Sequence, residues 1–384
     1  MAYQISHEEL LLSPIEFIGA LDFDPRPQGI SPRRLPDWTR PQVPQPMDVI
    51  VRMPSGVRLS FITDSPFIEL DVQTTRMFTP PSGPRPASFD LLINNVDIQS
   101  QSIDAGNLIQ LSAADPTAFE LIRGDAYSIR FDDLPAGENH LELWLPHNAF
   151  VELRQLSLAT GASLHSPVST ANRWLHYGSS ISHCMEAEQP TGTWPAVAAR
   201  LAGVKLHSLG FAGQCQLDQF VARTIRDHAA ELISMKVGIN IINGDTMRER
   251  IFPSAVHGFL DTIREGQPDT PILLVSPIYC PSAETQPGPT LPTSDGRFTT
   301  LPGQEELRVG SMSLQRTRQL IEEVVATRVA AGDNHLHYLN GLELFGEADA
   351  HDLPDDLHPN PVGYRRIGER FARKVFDERD LLTG

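Results

Sequence analysis

The rhythm of apolar residues changes once along this 384-residue chain, near residue 172, and that change constrains the fold more than any other feature. Upstream of it, Pro, Gly, Asn or Asp interrupts the sequence every few positions, and the runs between them alternate. Val57, Leu59 and Phe61 are spaced by two, as are Ile68, Leu70 and Val72, and Leu141, Leu143 and Leu145 repeat the spacing after Pro135-Ala136-Gly137. Period-two patterning between turn signals marks half-buried strands, and several such runs in succession predict an all-β sandwich or jelly roll. The prolines crowding Pro25–Pro46 predict an extended surface segment there, because proline cannot donate to a strand ladder.

Downstream, short apolar runs alternate with helical windows. Strands are expected at Trp174–Tyr177, Val204–Leu209, Ile233–Ile239, Pro271–Ser276 and His335–Leu339. Helices are expected at Trp194–Leu201, Leu217–His228, Ser254–Glu265, Glu305–Ala331 and Pro361–Phe376. Such alternation means βα units around a parallel sheet covered on both faces. The fold class is therefore α/β, with an N-terminal β-sandwich (residues 1–170) and a C-terminal parallel sheet flanked by helices (residues 171–384). The Ser-, Thr-, Gly- and Ala-rich stretch Ala159–Ala171 supplies the boundary. Between the fourth strand and the long helix, Pro281–Pro302 carries five prolines and two glycines. A connection of that length is commonly a functional loop, here either a substrate-covering lid or a solvated insertion.

Composition excludes several classes of function. Lys and Arg number 31 against 48 Asp and Glu, a net charge of −17, and no basic run is present to meet phosphates. Nucleic acid is not an expected partner. Nor is a membrane, since no stretch approaches the ~20 apolar residues needed to span one. Met1–Glu9 lacks the basic and apolar regions of an export signal, and three cysteines (Cys184, Cys215, Cys280) without a Cys-x-x-Cys fit a cytoplasmic protein with free thiols. His335 and His337 alternate on a strand without a third ligand at metal spacing, and no glycine-rich dinucleotide fingerprint follows a strand, so neither a metal nor a resident cofactor is expected.

Chemistry concentrates where the strands end, the edge at which open α/β sheets bind ligands. The first strand runs into Gly178-Ser179-Ser180-Ile181-Ser182, the second into Gly210-Phe211-Ala212-Gly213 and the third into Gly238-Ile239-Asn240; Asp355-Asp356-Leu357-His358-Pro359-Asn360-Pro361 precedes the last helix. A serine hydroxyl needs an imidazole to take its proton, and the imidazole needs an acceptor that fixes its tautomer. A carboxylate three residues upstream on a tight turn can serve. A tetrahedral intermediate needs preorganised donors, which glycine N–H groups and a side-chain amide can supply. Taken singly, these residues are equally suited to caps and turns; their occurrence in order is the informative feature.

Over residues 173–380 this constellation resembles the SGNH (GDSL-type) hydrolase family, whose four blocks supply a Ser, a Gly, an Asn and a His on a flavodoxin-like sheet. The resemblance implies Ser180 as nucleophile, His358 as general base and Asp355 as its orienting carboxylate. It implies the backbone N–H groups of Ser180 and Gly213 and the amide of Asn240 as the oxyanion hole. Ser179 and Ile241 stand where the family has aspartates. That departure leaves the loop positioning open and admits Ser179 as an alternative reactive hydroxyl. His183, Cys184 and Tyr279 are candidate pocket-lining residues, with structural packing as the alternative.

The implied activity is a serine esterase acting on a small O-acylated metabolite or sugar. The two-domain layout also resembles GDSL-type acyltransferases of tetracycline antibiotic biosynthesis. That implies an alternative in which an acyl group such as salicylyl passes from a CoA thioester to a hydroxyl of a polyketide, with acyl-CoA as co-substrate. A non-catalytic scaffold that binds acylated ligands is the alternative of another class. The N-terminal domain reads either as a carbohydrate-binding-like module or as a wall shaping the acceptor pocket. The sequence does not give the natural substrate or the oligomeric state.

Overall fold

A computed structural model describes residues 2–80, 82–112, 118–302 and 305–382. The chain divides into two compact units. One comprises Met1–Arg40, Val51–Thr170 and Glu188–Thr191; the other comprises Pro41–Ile50, Ala171–Ala187 and Gly192–Gly384.

The first unit is built from two largely antiparallel sheets around one apolar core. One sheet runs Phe119–Ile122, Asn107–Leu111, Ile68–Phe78, Ala149–Ala159, Gly29–Arg33, Asp22–Arg26, with Ala2–Ser6 and Tyr127–Phe131 paired off this path. The other runs Glu16–Ile18, Arg58–Thr63, Asn139–Trp144, Ala87–Ile93, Asp97–Ile103. The period-two residues face inward: Leu59, Phe61, Ile68, Leu70, Val72, Leu141 and Leu143 all belong to the core cluster. The proline-rich stretch departs from expectation. Asp22–Arg26 and Gly29–Arg33 form an antiparallel hairpin, with Phe23 opposite Pro32 and Pro25 opposite Ile30, and Gly29–Arg33 is buried throughout. Pro25 is tolerated because Asp22–Arg26 is the end strand of the sheet, while Gly29–Arg33, which carries Pro32, meets its other neighbour Ala149–Ala159 at Ile30 and Leu153.

The second unit holds a five-stranded parallel sheet: β1 (Arg173–Gly178), β2 (Lys205–Gly210), β3 (Leu232–Lys236), β4 (Ile272–Val275) and β5 (Leu336–Leu339), in the order β2-β1-β3-β4-β5. The helices are α1 (Ser180–His183), α2 (Trp194–Ala202), α3 (Gln219–Asp227), α4 (Ile239–Gly244), α5 (Phe252–Arg264), α6 (Leu314–Ala330) and α7 (Pro361–Phe371). The order reverses at β1, and the crevice at the carboxyl ends of β1 and β3 is the topological switch point at which such sheets bind ligands. Trp174, near the amino end of β1, packs ring against ring with Trp194 and Phe371. β3 stops earlier than its apolar run suggests, because Gly238 takes φ +115° and Ile239 already opens α4. A side chain at Gly238 would also meet Thr317 Cγ2 at 2.7 Å. α6 begins at Leu314 rather than Glu305, where Ser313 caps it by accepting from the Arg316 N–H.

Glycine also sets how closely α1 lies on the sheet. A Cβ built on Gly210 would sit 2.6 Å from the His183 backbone nitrogen, so α1 rests directly on the end of β2. Gly210→Ala is expected to push α1 off the strand and to lower stability by about 1–3 kcal/mol, read as a shifted urea midpoint at unchanged slope.

Candidate active site

The site is assembled from four chain segments that leave the carboxyl edge of the sheet. Ser180 is the first residue of α1 and keeps part of its surface exposed, while Ile181–Cys184 behind it are buried. Its Oγ lies 3.0 Å from His358 Nε2, across 178 residues of sequence. On the far side of the ring, His358 Nδ1 donates to Asp355 Oδ2 at 2.7 Å. A carboxylate can only accept here, so Nδ1 carries the proton and Nε2 presents its lone pair to the serine.

Local chemistry explains the Asp-x-x-His spacing. Asp355 Oδ1 accepts from the Leu357 N–H at 2.9 Å and the His358 N–H at 2.6 Å, so the carboxylate folds its own turn around itself before it meets the ring. Burial pushes the Asp355 carboxyl up, but the hydrogen bonds from the His358 ring and these two amides outweigh it and hold the group below the ordinary carboxylate range. The turn is then pinned to α7. Asn360 caps that helix by accepting from the Gly363 N–H at 2.9 Å, and its own N–H donates to Asp352 O at 2.8 Å. Asp352 is ion-paired with Arg366.

Asn240 occupies the first turn of α4 with 7 % of its surface exposed. Its Oδ1 accepts from the Cys215 N–H at 3.0 Å, which fixes the amide orientation and leaves Nδ2 as a donor. Gln216 Nε2 donates to Asn240 O at 3.2 Å, so the loop after β2 and the start of α4 are tied together. Gly213 lies exposed in that loop with φ +71°. Among the described residues, none accepts a hydrogen bond from the Ser180 N–H, the Gly213 N–H or Asn240 Nδ2.

The remaining sequence candidates fall differently. Ser179 is fully buried with its Oγ unpaired among the described residues, and His358 meets Ser180 instead. His183 and Cys184 are wholly buried and expose no surface, which agrees with the packing alternative rather than the lining one. Tyr279 is half-buried, its N–H bonded to Phe345 O. Within Pro281–Pro302, Thr290–Pro292 pairs with Phe298–Thr300 as a hairpin. Its Phe298 ring meets the His358 ring edge-on at 5.4 Å. Among the described residues, no group of three or more His, Cys, Asp or Glu side chains is placed to hold a metal ion.

Sequence reasoning missed a buried polar relay that ends at Ser182, two residues past Ser180. Trp174 Nε1 donates to Ser234 Oγ at 2.8 Å, Ser234 Oγ lies 2.7 Å from His176 Nδ1, and His176 Nε2 lies 2.8 Å from Ser182 Oγ in α1. Burial, reinforced by the nearby Lys236 charge, pushes the His176 ring down to about 3, so it is neutral at any working pH. The neutral ring has one N–H to donate and one lone pair to accept with, so the Ser234 and Ser182 hydroxyls take complementary roles at its two nitrogens. The only sequence signal was that His176 and Ser234 both interrupt apolar strands.

Residues 176–366 match the model of the GDSL-like lipase/acylhydrolase family. The second unit carries a GDSL-like lipase/acylhydrolase domain. Among solved structures, the chain is similar to the salicylyl-acyltransferase SsfX3 from a tetracycline biosynthetic pathway, at 28% identity over 100% of this chain and 99% of that one, with a TM-score of 0.82. A GDSL-like lipase from Bacteroides ovatus shares 17% identity over 100% and 98% of the two chains, TM-score 0.69. A family two carbohydrate esterase from Cellvibrio japonicus shares 14% over 100% and 99%, TM-score 0.61. The last two show a shared fold. No curated protein sequence matches the chain. The GDSL domain thus belongs with esterases and acyltransferases, and among the described residues no helix is long and apolar enough to cross a membrane.

Lys236, at the end of β3, is 1 % exposed, and its Nζ finds no acceptor among the described residues. Burial brings the amine down to about 8, with Cys215 and Cys184 nearby. The unfolded chain then binds a proton that the folded chain has released between about pH 8 and 10.5, so stability rises with pH across that window and this residue destabilises the fold at pH 7. Lys236→Met is expected to stabilise the protein at pH 7 by up to about 3 kcal/mol and to flatten that rise, measured by urea unfolding at pH 7 and pH 10.

Proposed function

We propose that the GDSL domain catalyses acyl transfer through a covalent acyl-enzyme on Ser180, acting as an esterase on a small O-acylated metabolite or sugar. The observation carrying this reading is the unbroken chain Ser180 Oγ, His358 Nε2, His358 Nδ1, Asp355 Oδ2, with contacts of 3.0 and 2.7 Å. As Ser180 Oγ attacks the ester carbon, its proton passes to His358 Nε2 and the carbonyl electron pair moves to oxygen. Asp355 stabilises the imidazolium without taking its proton. The N–H groups of Ser180 and Gly213 and the Asn240 amide receive the oxyanion. Collapse expels the alcohol, which takes the proton from His358 Nε2. Water, activated by the same nitrogen, then attacks the acyl-enzyme and releases the acid and free Ser180.

A second reading is favoured by the full-length similarity to SsfX3. In it an alcohol takes the place of water in the second step, and an acyl-CoA can serve as donor. Both reactions share one intermediate and differ only in what resolves it.

A fluorophosphonate is expected to add once to the protein and not at all to Ser180→Ala, read by intact mass; a folded wild type that stays unmodified fits only a binding scaffold. Ser180→Ala and His358→Ala should each lower turnover by roughly 10³–10⁶. Asn240→Ala should cost about 10²–10³, and a loss below about threefold removes its amide from the oxyanion hole. Incubating acyl-CoA donors with and without candidate alcohols, and comparing ester with free acid, separates transferase from hydrolase.

A further inference from the structure

One segment closes on the turn that carries the base. The Phe298 N–H donates to Asp355 O at 2.8 Å, and the Cys280 thiol donates to Asp356 O at 3.3 Å. Arg297 grips the Asp356 carboxylate with two parallel bonds, Nε to Oδ2 at 2.7 Å and Nη2 to Oδ1 at 2.8 Å. The segment is anchored at its root, where a Cβ on Gly288 would come 2.0 Å from Ile242 O in α4. Its tip is closed by the Thr293 N–H, which donates to Arg297 O at 2.7 Å. The guanidinium therefore reaches the turn from a backbone that is already held.

What the guanidinium holds is a strained residue. Asp356 takes φ +66°, a left-handed conformation that costs a residue with a Cβ energy and persists where its surroundings impose it. It lies between Asp355, whose carboxylate meets the imidazole, and His358, which carries that ring. Its φ thus sets the path by which the chain leaves the carboxylate and returns with the base. Relaxation to negative φ would swing Leu357 and His358 away from the Asp355 Oδ1 that their amides share, and the 3.0 Å contact of His358 Nε2 with Ser180 Oγ would go with them. Two planar forks bonded in parallel resist such a rotation, because they fix orientation as well as distance. The side chains of Arg297 and Asp356 are 54% and 29% exposed, and an ion pair so placed adds little to global stability. Its effect is local.

We propose that Arg297 is a positioning residue for the base: its fork keeps Asp356 left-handed and thereby keeps His358 Nε2 on Ser180. The proposal rests on the acyl-enzyme reading above, in which every proton passes through that nitrogen.

The full-length protein is followed by its turnover of p-nitrophenyl acetate and by its rate of inactivation with a fluorophosphonate. Arg297→Ala is expected to lower kcat at least about tenfold with KM within about twofold of wild type, and to slow inactivation by a similar factor, at an unchanged urea midpoint. Arg297→Lys keeps the charge without the fork; it should fall between the two, and it carries the comparison where Arg297→Ala does not fold. Glycine adopts positive φ without a clamp. Asp356→Gly should therefore keep more of kcat than Arg297→Ala does, and adding Arg297→Ala to it should change kcat less than about twofold. A loss below about threefold in Arg297→Ala, or an equal loss in the Asp356→Gly background, overturns the assignment. So does a loss taken up in KM, which makes Arg297 a substrate contact, or one that comes with a lowered urea midpoint, which makes it structural only. Failure of the acyl-enzyme reading is separately visible: ester cleavage that survives Ser180→Ala removes the nucleophile whatever Arg297 does.

Discussion

The catalytic geometry depends on one carboxylate that satisfies three donors from its own turn. Asp355 accepts the Leu357 and His358 amides through Oδ1 and the imidazole through Oδ2. The two backbone bonds fix where Oδ2 points, so the ring is oriented by an acceptor that is itself already held. Because these three bonds stabilise the ionised form, Asp355 stays charged despite its burial. An imidazole positioned in this way can reach a serine far away in sequence, because only the serine's side of the contact has to be supplied by the fold.

The parallel sheet supplies it. The reversal of strand order at β1 opens a crevice between the exits of β1 and β3, and Ser180 and Asn240 each lie two residues beyond a glycine at those exits, Gly178 and Gly238. Close approach is then a matter of small side chains. Gly210 lets α1 lie on β2, and a Cβ at Gly178 would come 2.2 Å from Ser182 Oγ, the hydroxyl at the end of the Trp174–Ser234–His176 relay. Polar groups this deep are costly unless every partner is present, and each member of this relay has one.

What was legible in the sequence is what short-range chemistry decides. Asp355 and His358 could be paired from their spacing because their bonds close within one turn. The alternation of Leu59 with Phe61 and of Leu70 with Val72 showed the inner faces of the sandwich because pleat period is local. Features that depend on distant partners were not legible. Pro25 sits in a strand that ends a sheet, and sheet order is not written in the stretch itself. The apolar run through Ile239 gave no sign that Gly238 would turn the chain into a helix against Thr317. Pro281–Pro302 lacked periodicity, yet it is held by contacts to Ile242, Asp355 and Asp356, all far away along the chain.

That last segment bears on how one serine chemistry serves different reactions. In the proposed reaction, attack on an ester, proton delivery to its alcohol and attack by the next nucleophile all pass through His358 Nε2, so the Ser180–His358–Asp355 chain alone has no means of choosing between water and an alcohol. The choice must come from groups that hold an alcohol beside that nitrogen long enough to compete with solvent. Phe298 is set edge-on to the His358 ring, with 5.4 Å between the ring centroids. Arg297, clamped to the residue after Asp355, couples the same hairpin to the turn that carries the base. Because the hairpin is bonded to Asp355 and Asp356 and packed on the His358 ring, a change in its sequence bears on the His358 side of the candidate site rather than on the segment that carries Ser180.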